Sequence, residues 1–139
     1  MRLDLIPFAT VDEAREWARS AIDAAAGAAR QRFITITPGQ DATYLAKYNE
    51  ALAYLRAGCP PDLSLFPWVA AEAAGTGLSG IDAATRIKAA GDPWHTDIGP
   101  RIEGMRVGGK ARLAQCAQIA DVLRWTHEVC QRLADLKSN

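Results

Sequence analysis

The residues best suited to proton transfer, nucleophilic attack or metal ligation are two histidines and three cysteines. His95 lies in Asp92-Pro93-Trp94-His95-Thr96-Asp97, next to carboxylates that could orient an imidazole as a general base. Such a base needs a nucleophile within reach, and Cys59 or Cys116 could supply one only through a tertiary contact. His127 falls in the polar part of the last helical stretch and reads as a surface residue. Cys59, Cys116 and Cys130 form no CxxC pair, no HExxH is present, and the carboxylates are scattered. The expectation is therefore no catalytic residue, no metal and no cofactor. An odd cysteine count suits a reducing compartment, where a buried thiol behaves as a small apolar group.

A second candidate is the stretch Gly104-Met105-Arg106-Val107-Gly108-Gly109-Lys110. Gly104 and Gly109-Lys110 match the phosphate-cradling GxxxxGK pattern, but Ala111 stands where Ser or Thr should meet magnesium, and no strand-like run precedes it. Nucleotide binding is not expected. Gly104 and Gly108, four residues apart, read instead as tight packing between helices.

Sixteen basic and sixteen acidic residues cancel, which argues against a nucleic-acid partner or a polybasic membrane anchor. The balance is local: Arg101, Arg106, Lys110 and Arg112 face only Glu103, whereas Asp41, Glu50, Asp62, Glu72 and Asp82 outnumber Lys47 and Arg56. Such patches are either solvated helix faces or guides for docking between subunits. No run of 18 apolar residues exists to span a membrane. The opening Met1–Pro7 is too short for a signal peptide, so a cytoplasmic protein is expected.

The elements that must position these residues are helical. The chain holds 27 alanines, the residue that loses least on entering a helix, and hydrophobic residues total 49%, enough to argue against wholesale disorder. Because alanine buries little area, such helices are plausible candidates for stabilisation by a partner or by self-association. Residues 2–9 could form a short extended segment. Thr10-Val11-Asp12-Glu13 is a capping box opening a helix with Val11, Ala14, Trp17, Ala18, Ala21, Ile22, Ala25, Ala28 and Ala29 on one stripe. The β-branched run from Ile34 to Thr37 weakens it, and Pro38-Gly39 ends it. Asp41 can cap a second helix that stops at Gly58. The two predict an αα-hairpin, with Trp17, Ile22 and Phe33 against Tyr44, Tyr48, Leu52 and Leu55.

Cys59 to Phe66, with two prolines, reads as the internal boundary. The expected division is 1–58 (N-terminal segment and hairpin), 59–66 (linker) and 67–139 (helical region). Within the last, Pro67 starts a short helix that Gly75-Thr76-Gly77 breaks, and Ser79 opens another to about Ala90. Asp92-Pro93 should end one element and start the next. From Trp94 to Cys116 one face carries Ile98, Ile102, Met105, Gly109, Leu113 and Cys116, with Pro100 in a first turn. The last helix has heptad spacing: Ile119, Val122, Thr126, Val129, Leu133 and Leu136, widened by Leu123 and Cys130. These six are the candidate protein-interface residues. Within one chain the stripe needs a partner helix, and residues 98–113 are the nearest, although their glycines bury little. The fold class expected is mainly α, as helical hairpins or a small bundle.

One longer pattern adds context. Arg30-Gln31-Arg32-Phe33-Ile34-Thr35, Pro38-Gly39-Gln40, Thr43-Tyr44, Lys47 and Glu50-Ala51 are followed by an aromatic-containing segment from Trp68 to Ala74. Then come Ile81 to Ala90, Trp94, Ile102-Glu103, Arg106 and Gly109-Lys110. This order resembles small proteins of tailed phages and prophages encoded beside tail-fibre and baseplate genes, and it spans residues 29–117, about two-thirds of the chain. Gly99-Pro100 departs from the pattern. The resemblance implies a non-enzymatic tail accessory or tail-fibre assembly chaperone, with fibre or baseplate components as partners and no catalytic residues to carry over. It places the protein in the host bacterial cytoplasm during assembly, or in the virion tail. The alternative is a small host-directed inhibitor or regulator that binds a host protein.

Overall fold

A computed structural model describes the backbone of residues 8–34 and 40–137, with side chains from Ala42 onward in the second stretch. The protein is mainly helical, with no strand among the described residues: α1 (Val11–Phe33), α2 (Gln40–Arg56), α3 (Pro67–Thr76), α4 (Gly80–Asp92), α5 (Gly99–Leu113) and α6 (Ile119–Ala134). Residues 2–7 of the expected extended segment, the 35–39 turn and the Asp41 side chain lie outside the described residues.

The helix ends follow from local chemistry. Thr10 accepts a hydrogen bond from the Glu13 N–H at 3.1 Å, and the Glu13 carboxylate accepts from the Ala9 N–H at 3.0 Å, so the box closes one residue further out than the standard pattern. Ser79 caps α4 by accepting from the Asp82 N–H at 3.1 Å. Helix α2 ends in a Schellman motif: the Cys59 N–H donates to the Tyr54 carbonyl and the Gly58 N–H to that of Leu55, both at 3.2 Å. Gly58 takes the left-handed φ of 83° that this motif requires. Helix α3 has no side-chain cap of its own at Phe66; Glu50 of α2 serves instead, accepting from the Val69 N–H at 2.7 Å.

The helices divide into two units, Met1–Ile34 with Asp97–Asn139, and Thr35–Thr96. This differs from the division expected at 59–66. That proline-containing stretch is a loop inside the second unit, where Cys59, Leu63 and Phe66 pack against the core. The expected α1–α2 hairpin is likewise replaced: α1 packs on α5 and α6, and α2 packs on α3 and α4. Periodicity shows that a helix has an apolar face, but not which face will cover it.

In the first unit, α1 buries Ala14, Ala18, Ile22, Ala26 and Ala29, a row at spacings of four and three that lets neighbouring backbones approach. Two arginines of α1 bind carbonyls at other helix ends. Arg15 donates to the Leu113 and Cys116 carbonyls at 3.1 and 2.7 Å, and Arg32 to those of Leu133 and Leu136 at 3.0 and 2.7 Å. Because Arg15 lies early in α1 and Arg32 late, α1 runs antiparallel to α5 and parallel to α6. Asp23 also binds Arg106 and Lys110 of α5, at 3.0 and 2.9 Å. Trp17, expected at a hairpin core, is 45% exposed and rests against Phe8 with ring centroids 5.4 Å apart.

The second unit buries Ala51, Tyr54, Val69, Ala73, Ala83, Ala84 and Ile87 among its three helices. As expected, one element ends at Asp92 and the next starts at Pro93, but the backbone stays helical across the junction. Pro93 keeps a helical φ of −56° and begins a π-helical turn over Pro93–Ile98. Proline removes one donor from the ladder, and a wider turn is one way a helix absorbs that loss.

Candidate functional site

Two places collect groups capable of chemistry or recognition, one in each unit. In the second unit, Tyr48 of α2 donates its hydroxyl to Asp92 at 2.7 Å, and the Lys88 ammonium binds the other Asp92 oxygen at 2.7 Å. The His95 ring, carried on the π turn, stacks on Tyr48 with centroids 4.1 Å apart. Gly91 is required here, because a Cβ would collide with the Tyr48 ring.

The electrostatics of this cluster point to a clasp between α2 and the end of α4. Lys88 and then Tyr48 hold the Asp92 carboxyl below its usual range. The hydrogen bond to Asp92, with burial, pushes the Tyr48 phenol up. Burial lowers the His95 imidazole, and the nearby Asp92 charge only partly opposes it. A neutral imidazole of this kind could accept a proton, yet the described cluster places no nucleophile beside it. Cys59 packs on the second unit's core, while Cys116 bonds to the Arg112 carbonyl in the other unit.

The phosphate-loop comparison fails on geometry. Gly104 to Lys110 is the middle of α5, so its N–H groups are engaged in the helix ladder, and Lys110 is paired with Asp23. Among the described residues, no three His, Cys, Asp or Glu side chains converge as a metal site. No helix of the described residues is long and apolar enough to cross a membrane.

Of the six candidate interface residues, on α6 or just past its end, five are core of the first unit. Val122, Thr126, Val129, Leu133 and Leu136 are buried within the single chain, and Ile119 is half-buried. Thr126 bonds back to the Val122 carbonyl at 2.7 Å, which satisfies its hydroxyl without a partner. The stripe is covered mainly by α1, whose alanines fit a partner that a search for bulky side chains overlooks. Within the single chain it is already covered.

A second cluster of charged and aromatic groups lies on α5 and α6. A groove of about 490 Å³ is lined by Arg101, Gly104, Met105, Gly108, Arg112, Trp125 and Arg132, with Gly109 and Val129 also contributing. Trp125 is held in place by its indole N–H, which donates to the Gly109 carbonyl at 2.8 Å. The Arg112 guanidinium lies over the indole at 4.1 Å, and that of Arg132 at 5.7 Å. Arg101 is paired with Asp97 at 3.3 Å and Arg132 with Glu128 at 2.6 Å. Arg112 has no carboxylate partner among the described residues. The basic excess of residues 101–112 was legible in the sequence, but its meeting with Trp125 was not.

No protein-family model matches the chain, and neither any curated protein nor any solved structure does.

Proposed function

We propose that this chain is a non-enzymatic, protein-binding component of a phage or prophage tail, acting as a structural accessory of the fibre or baseplate or as its assembly chaperone. The observation that supports protein binding is the groove on α5 and α6, where Trp125 is fixed by Gly109 and covered by Arg112, which has no carboxylate partner among the described residues. Tryptophan and arginine contribute most at protein contacts because each combines apolar area with directional polar bonding. The tail context rests on the resemblance over residues 29–117.

Mass spectrometry of purified tail-bearing particles, together with capture of partners by the tagged chain during assembly, tests this reading. The chain in the particle supports the accessory role. Its absence from particles with capture of fibre or baseplate proteins supports the chaperone role. Capture of a host enzyme with no tail protein overturns both in favour of a host-directed regulator.

A further inference from the structure

Three features remain after the fold and the ion pairs are accounted for: the His95 clasp, the exposed aromatics of the second unit, and the groove on α5 and α6. The clasp is internally satisfied, with each oxygen of Asp92 already bonded. The exposed Tyr44, Leu45 and Trp68 have nothing to indicate what covers them. The groove carries more.

Three of its lining residues are glycines inside a helix, a choice that weakens the helix unless the missing side chain is needed. For Gly109 the need is internal, since a Cβ would press on Val129. For Gly104 and Gly108 there is none, because a Cβ at either would meet nothing within 4 Å. The sequence pattern suggested that these two pack against a neighbouring helix. In the structure they leave bare backbone facing the groove, which is useful where another chain comes close.

The charge of the groove indicates which chain. Arg101, Arg112 and Arg132 line it, and Asp97 and Glu128 pair with the first and last, leaving Arg112 uncompensated among the described residues. Its guanidinium lies over the Trp125 ring at 4.1 Å, and a guanidinium can make two parallel bonds to a carboxylate. A base of single-stranded nucleic acid would need the indole face, and Arg112 and Arg132 already occupy that ring. The volume suits a few side chains, and its lining combines apolar surface with cations.

We infer that the groove is a docking site for a short acidic segment of a partner protein, with a carboxylate on Arg112 and a small apolar side chain over Gly104 and Gly108. This deepens the protein-binding reading above and rests on it.

The test is calorimetric titration of the full chain with a synthetic peptide of glutamates interspersed with leucines. A glutamine-for-glutamate counterpart and a single-stranded oligothymidylate serve as competitors. The acidic peptide should bind, and the glutamine peptide should bind at least tenfold more weakly. Arg112→Gln should weaken the acidic peptide by a similar factor. Gly108→Leu should abolish binding while leaving the thermal midpoint unchanged or raised, since the space above Gly108 is open. Arg86→Gln, on an exposed residue of α4, should change nothing. Equal binding of both peptides, or full affinity in Gly108→Leu, would overturn the inference. Binding of oligothymidylate in place of the acidic peptide, lost in Arg112→Gln, would overturn it in favour of nucleic acid. These outcomes are independent of particle composition, so the groove and the tail context fail separately.

Discussion

A Cβ added to Gly109 would stand 2.9 Å from Cγ1 of Val129 and 3.3 Å from its Cγ2, so α5 and α6 touch backbone to side chain at this point. Ile22 of α1 closes the same spot at 3.5 Å, making it the meeting point of all three helices of the first unit. Valine in a helix has one strongly preferred rotamer and cannot swing aside cheaply. Gly109→Ala should therefore destabilise the protein by about 1–2 kcal/mol, the cost of overpacking less the gain in helix propensity. Gly108→Ala, one residue earlier and facing open space, should instead stabilise it by about 0.5–1 kcal/mol. Urea unfolding of the two variants checks this; shifts of the same sign would contradict the packing described here.

Trp17 and Ile22 lie on the same helix and should respond very differently to truncation. Ile22 is fully buried, so Ile22→Ala should cost about 2–5 kcal/mol. Trp17 is nearly half exposed and its described ring contact is with Phe8, so Trp17→Ala should cost about 1 kcal/mol or less. Denaturant midpoints of the two variants measure the contrast.

Val129 is 3% exposed, and an aspartate there would be a buried, unpaired charge. Val129→Asp should unfold the first unit, at a cost of several kcal/mol. Circular dichroism and light scattering together read the outcome. A well-folded variant that had merely changed its oligomeric state would return the α6 stripe to the role of an interface.

The His95 clasp predicts a pH dependence. Burial lowers the imidazole in the folded protein below its ordinary value of 6.5. Between that lowered value and 6.5 the unfolded chain binds more protons than the folded one, so stability rises with pH there and is lost as pH falls through it. His95→Gln should flatten this slope, and urea midpoints measured across the mildly acidic range would reveal it. Asp92 acts in a separate window: Lys88 and Tyr48 depress its pKa, so its contribution is present above 3.8 and disappears only as pH falls further. An unchanged slope in His95→Gln would show that the ring does not report on folding.

Much of the secondary structure was legible because its signals are local. The Thr10–Glu13 cap, the Ser79 cap, Pro67 at the start of α3 and the stop at Gly58 each depend on residues a few positions apart. The heptad spacing of α6 likewise marked Val122, Thr126, Val129, Leu133 and Leu136 as one apolar face.

Tertiary structure alone decided what each face meets. Helix α1 bypasses its neighbour α2 to pack on α5 and α6, the contacts with α6 spanning about a hundred residues of sequence at Arg32–Leu133 and Arg32–Leu136. Alanine rows made this possible, and alanine is too small to announce a specific partner by its own pattern. The groove was hidden for the same reason. Arg112 and Trp125 are thirteen positions apart on separate helices, and whether Gly104 and Gly108 were covered or bare depended on where the other helices of the first unit came to rest. Periodicity reports that a surface is apolar, whereas its cover is chosen by the global competition among all such surfaces for burial.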